Sequence, residues 1–161
     1  MLPKKAKSSA VKRLNELNMK NLAKAVKKSD GLELEVFFAA KTHKVNCPLR
    51  AIVTEDGSWK KILGGFLQRQ LNLLKPHDPF ETRSSTDVIT ALQKGLHGAT
   101  SAMSIDIEDL FYSVPHDERF CAIRELIDKT GVVKFQNECG VNVEAFLELV
   151  ALYLSTTVVK F

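Results

Sequence analysis

Twelve residues near the middle of the chain have the types and order that metal-dependent chemistry uses: Ser104, Ile105, Asp106, Ile107, Glu108, Asp109, Leu110, Phe111, Tyr112, Ser113, Val114 and Pro115. A short apolar strand would fix the Asp106 carboxylate rigidly, and the Ile107 carbonyl beside it could add a second oxygen. Magnesium takes oxygen ligands in near-octahedral geometry, usually from one or two carboxylates and the substrate's phosphates. An aromatic just beyond the acid can wall a substrate pocket. By residue type alone, a surface acid or a helix-capping group is the commoner fate of such an aspartate, and an ordinary core aromatic that of Phe111. The Ile-Asp-Ile sandwich argues the other way for Asp106, because its neighbours should face a core while it faces out.

Both sides of this segment supply elements that could hold it. Ser101 to Ile107 reads as the strand carrying Asp106. After it, Pro115 suits a first helical position, Asp117 and Glu118 complement a helix N-terminus, and Phe120, Ile123, Leu126 and Ile127 form an apolar stripe. Gly131 ends that helix. Asn142 caps a last one through Phe146, Leu149, Val150 and Tyr153, and Thr157–Phe161 reads as a further strand. Upstream, Ser9 to Lys28 alternates lysines with Val11, Leu14, Leu17, Leu22 and Val26, which predicts a helix with one basic face, closed by Ser29-Asp30-Gly31. Strands over Leu32–Ala40 and Leu49–Thr54 flank a short basic turn, a hairpin pattern.

Ser58 can cap a helix to about Lys75, with Trp59, Ile62, Leu63, Phe66, Leu67, Leu71 and Leu74 on one side. Gly64-Gly65 lies inside it. Each glycine costs roughly 1 kcal/mol against alanine there, which points to close packing. Ser84 or Ser85 caps a shorter helix through Val88, Ile89 and Leu92. The fold class is α+β.

At 161 residues the chain is one domain or a piece of a larger one, and its 45% hydrophobic, 26% charged composition is that of a globular protein rather than a disordered one. No apolar run approaches the roughly 20 residues of a membrane span, so no membrane partner is expected. Cys47, Cys121 and Cys139 lack zinc-ligand spacing, and their odd number argues for reduced thiols and an intracellular location, cytoplasmic or nuclear. Charge is uneven. Residues 1–44 hold eleven Lys/Arg against four Asp/Glu, a balance of +7, while the rest hold twelve against fifteen, a balance of −3. That asymmetry suits a polyanion partner at one end and cation-binding carboxylates at the other; a merely solvated lysine-rich helix is the plainer alternative.

A second constellation runs Lys41-Thr42-His43-Lys44-Val45-Asn46-Cys47-Pro48-Leu49-Arg50-Ala51-Ile52-Val53. Arg50, on a strand flanked by apolar residues, would project to one face, poor placement for a charge that is only solvated. Together the two stretches resemble reverse transcriptases of Penelope-like and related non-viral retroelements, over nearly the whole chain from about Leu14. Asp106 with Phe111 five positions later resembles their first catalytic motif, and the run through Val114-Pro115-His116 extends it. Lys41 to Val53 looks like their fingers signature, with Ala51 where the family usually has proline.

The resemblance implies a fingers hairpin plus the incomplete palm of a right-hand polymerase, with amphipathic helices. It divides the chain into a basic N-terminal helix over 1–31 and a partial reverse transcriptase domain over 32–161. Within that domain, fingers span about 32–57, connecting helices 58–99, and the start of the palm 100–161. Asp106 is implied as the catalytic metal ligand, with Ile107 supplying its carbonyl to Mg2+. Arg50, Lys41 and Lys44 would grip the incoming triphosphate, Arg50 as a planar fork and the lysines as point charges. Asp109 would lie near the triphosphate, and Phe111 would be the steric gate against a ribose 2′-hydroxyl. The implied partners are an RNA template, a DNA primer and deoxynucleoside triphosphates. The family's later Y/F-x-D-D motif does not occur in these 161 residues, so the chain is expected to be an N-terminal fragment, inactive alone. The alternative is a non-catalytic remnant acting as a basic nucleic-acid-binding domain.

Overall fold

The basic start of the chain forms two helices where its lysine and leucine pattern predicts one. In the computed structural model the described residues are 3–76, 81–82, 84–95, 101, 103–107 and 110–160, the side chains of Phe111 and Tyr112 excepted. Helix α1 spans Pro3–Glu16 and α2 spans Lys20–Lys28. Between them Asn18 adopts φ 58°, a left-handed conformation that asparagine tolerates better than most residues. The Met19 amide then bonds the Leu14 carbonyl at 2.9 Å, closing the turn. The helices bury Ala6, Ala10 and Leu14 against Ala23 and Val26, whereas Val11, Leu17 and Leu22 are half-buried. Small alanines let the backbones approach, so the inner face is less leucine-rich than the periodicity implies.

Strands β1 (Leu34–Ala40) and β2 (Leu49–Thr54) form the expected antiparallel hairpin, in register from Glu35↔Thr54 to Ala40↔Leu49. The final strand β3 (Val159–Lys160) pairs in parallel with β1 through Leu34↔Val159, giving the order β2-β1-β3. Only Leu34 of the hairpin is buried. Phe37 and Phe38 are 51% and 60% exposed on opposite faces.

Helix α3 (Trp59–Leu71) starts at Ser58, whose side chain accepts from the Lys60 amide. It buries Trp59, Leu63, Phe66 and Leu67, and packs against α2 and against α8 (Val143–Ser155). Gly31 lets the end of the α2 turn meet the start of α3. A Cβ there would lie 2.4 Å from the Gly57 carbonyl oxygen. Helix α8 is capped by Asn142, whose side chain accepts from the Ala145 amide at 2.8 Å. The stretch Val132–Cys139 forms another helix, α7, placing Phe135 edge-on to Phe146 with ring centroids 5.1 Å apart. Each fully buried residue of this size contributes roughly 1.5–3 kcal/mol of transfer free energy.

The chain divides into two compact units, residues 1–74 with 127–161 and residues 75–126. The elements above, with β3, make up the first. In the second, α4 (Ser85–Gln93) opens with a reciprocal capping box between Ser84 and Asp87. Its Val88, Ile89 and Leu92 are nonetheless exposed. A short α5 (Leu110–Ser113) is followed by α6 (His116–Thr130), which crosses the boundary at Ile127 and buries that residue alone. Phe120, Ile123 and Leu126 of the expected stripe are half-buried.

One expectation fails here. The strand predicted over Ser101–Ile107 is irregular at its described positions, and Ile105 and Ile107 are 76% and 62% exposed rather than buried. A strand needs a neighbour for its backbone hydrogen bonds, and among the described residues this unit contains no other strand. The architecture is thus α+β, helices with a small three-stranded sheet. Among the described residues no helix is long and apolar enough to cross a membrane.

Candidate functional site

The hairpin turn is built from successive tight turns. The Lys41 amide bonds Pro48 O at 2.9 Å, Lys44 bonds Lys41 O at 3.0 Å, and Cys47 bonds Lys44 O at 3.0 Å. Asn46 and Cys47 adopt left-handed φ values of 66° and 43° to close it. His43 and Lys44 are exposed, and Lys41 is half-buried. Arg50 sits two residues into β2, opposite Ala39. Strand alternation puts it on the face that also carries Phe37 and Ile52. Its side chain is exposed, and among the described residues no carboxylate pairs with Arg50, Lys41 or Lys44. The hairpin therefore presents two exposed cations, the half-buried Lys41 and an exposed aromatic, a combination suited to phosphates and bases.

Asp106 belongs to the second unit, Arg50 to the first. The Asp106 carboxylate is exposed, as expected, and its Oδ1 accepts from the Ile107 amide at 3.0 Å. That local bond sets the carboxylate beside the Ile107 backbone. Asp109 lies outside the described residues. Phe111 is in α5, its side chain outside the described set. Among the described residues no group of three or more His, Cys, Asp or Glu is placed to hold a metal ion. Asp106 and Ile107 offer hard oxygens that fit magnesium in kind, but two donors fall short of a shell.

Two features escaped the motif reading. The first is a cleft of about 710 Å³ over α3, lined by Glu55, Asp56, Lys61, Gly64, Gln68 and Tyr153 among others. The Tyr153 hydroxyl donates to Glu55 Oε1, and burial together with that carboxylate pushes the phenol's pKa up. Behind it Lys60 is only 1% exposed. Its ammonium donates to the Tyr153 carbonyl and to Thr156 Oγ1 (3.1 Å) at the end of α8, and lies 4.3 Å from the Tyr153 ring centroid. Burial pushes this amine down to about 8, opposed by the Glu55 charge. The signal in the sequence was a lysine in helical register with Leu63 and Leu67. The second is a groove of about 600 Å³ between α1 and the end of α2, lined by Lys4, Lys7, Lys12 and Lys27. No protein-family model, curated protein or solved structure matches the chain.

Proposed function

We propose that the chain is the fingers and opening palm segment of an RNA-directed DNA polymerase of a non-viral retroelement. The observation that carries this reading is the pair of motifs in chain order, Lys41–Val53 followed by Ser104–His116. The exposed Arg50 beside Phe37, with no ion pair among the described residues, and the solvent-facing Asp106 carboxylate support it. In the complete enzyme Arg50, Lys41 and Lys44 hold the triphosphate of a deoxynucleotide, with Asp109 near it. Asp106 and the Ile107 carbonyl supply part of the magnesium shell, and Phe111 excludes a 2′-hydroxyl. Magnesium would align the attacking primer hydroxyl and neutralise the leaving oxygen. These residues do not complete that shell, so no catalytic step is assigned to the chain alone. The basic start favours a second reading, a non-catalytic retroelement remnant that only binds nucleic acid.

Primer extension decides between them. The 161-residue chain should incorporate no nucleotide. A longer product of the same coding sequence, read past Phe161, should contain Y/F-x-D-D and extend a DNA primer on RNA with magnesium, and Asp106→Ala should abolish that extension. An early stop without Y/F-x-D-D favours the remnant. Extension by the 161-residue chain itself would refute the fragment reading.

A further inference from the structure

The groove between α1 and the end of α2 has no role in the fingers or the palm. Lys4, Ser8 and Lys12 lie at intervals of four, with Lys7 and Val11 also four apart beside them, so the five form a single stripe along α1. Lys27, Ser29 and Asp30 face that stripe from the end of α2 and the turn after it. The Lys7 ammonium is tied to the Ser29 carbonyl and braces the two walls. Lys4, Lys12 and Lys27 are exposed. Lys12 has one carboxylate near it, Glu16 at 3.9 Å, on a solvated helix face. Among the described residues, Lys4 and Lys27 have none within ion-pair distance.

The first turn of α1 contains no acid, although the positive end of a helix dipole favours one. Four lysines around one depression repel each other, Lys4 also meets the positive end of the α1 dipole, and a bound anion relieves both. Among the described residues, Asp30 is the only acid lining the groove.

We infer that this groove seats the phosphates of a single nucleic-acid strand. From Lys4 to Lys12 the stripe rises about 12 Å, enough for two or three successive phosphates. At about 600 Å³ the groove has room for a backbone segment of one strand. The Ser8 hydroxyl on the same stripe donates to the Lys4 carbonyl at 3.0 Å, so the phosphate contacts fall to the lysines. The inference rests on the polymerase reading only in choosing nucleic acid over another polyanion.

The test uses the full chain with fluorescent oligo-rU and oligo-dT 12-mers, titrated over a range of salt. Lys4→Ala/Lys12→Ala/Lys27→Ala removes the exposed positive charges of the groove and leaves the Lys7 brace. Lys5→Ala/Lys20→Ala/Lys24→Ala removes three exposed lysines of the same helices that do not line it. The groove triple should weaken binding about tenfold or more and flatten the log–log salt slope by about 2, at roughly 0.7 per phosphate lost. The control triple should change the slope by much less. The rU and dT arms show whether RNA or DNA is held better. Equal losses in the two triples would overturn the groove while leaving a nucleic-acid partner intact. Binding of heparin without either oligonucleotide would also overturn it. Thermal unfolding of both triples checks that neither result comes from misfolding, and the polymerase reading is judged separately by primer extension.

Discussion

Replacing each of the two α3 glycines by alanine separates helix propensity from packing within a single turn. An alanine in a helix interior is worth up to about 1 kcal/mol over glycine. At Gly65 the nearest atom to an added Cβ is Arg69 Nη1, at 3.7 Å and at the end of a flexible side chain. Gly65→Ala should therefore realise most of that gain, raising Tm by about 2–4 °C for a chain of this size. At Gly64 the added Cβ would lie 3.1 Å from Tyr153 Cε2, 3.2 Å from its hydroxyl oxygen and 3.2 Å from Glu55 Oε2. That ring is anchored through its hydroxyl to Glu55 and stacks over the Lys60 ammonium, so it cannot retreat without weakening a charge-assisted bond. Losing such a bond costs about 1–3 kcal/mol, which cancels or reverses the helix gain. Gly65→Ala should thus exceed Gly64→Ala by about 1–3 kcal/mol in urea unfolding at unchanged m-value. In a Tyr153→Ala background the two alanines should become nearly equivalent, as a double-mutant cycle would read. Equal stabilisation by both in the native background would refute the packing of Tyr153 and Glu55 over α3.

Lys60 makes stability depend on pH with a definite sign. Its folded value is lowered from 10.5 to about 8, so between those values the unfolded chain binds the extra proton and stability rises with pH. The rise should amount to about 1–3 kcal/mol and be absent in Lys60→Met, followed by denaturant unfolding from pH 7.5 to 10. Above pH 10 the raised Tyr153 phenol acts oppositely, since the unfolded chain then loses its proton first. Tyr153→Phe should cost about 1–3 kcal/mol by leaving the Glu55 carboxylate without its donor, measured by thermal melts at pH 7. Ile105→Ser and Asp106→Ala should each shift stability by less than about 0.5 kcal/mol, because both side chains are exposed. A loss near 2 kcal/mol at Ile105 would restore the buried palm strand.

Local signals in the sequence determined much of what the structure contains. Ser58, Ser84 and Asn142 start helices because their side chains satisfy amide groups within three residues, a relation independent of the rest of the fold. The hairpin follows from two β-favouring runs around a short turn, and the Arg50 register follows from that pairing. The spacings of Arg50 after Lys41 and Lys44, and of Phe111 after Asp106, are features of the sequence alone.

Tertiary structure decided the rest, because burial and strand pairing depend on what lies opposite. Among the described residues the Ile105-Asp106-Ile107 segment has no strand partner, and Val88, Ile89 and Leu92 of α4 stay exposed, so neither apolar pattern became a strand or a core there. The break at Asn18 depended on packing Ala6, Ala10 and Leu14 against α2. The distant meeting of Glu55, Lys60, Gly64 and Tyr153 joins α3 to α8 across more than half the chain, and no local pattern encodes which residues will face each other at that separation. The lysines of α1 and α2 were visible as charge, but only the folding of one helix against the next gathered four of them around a single groove.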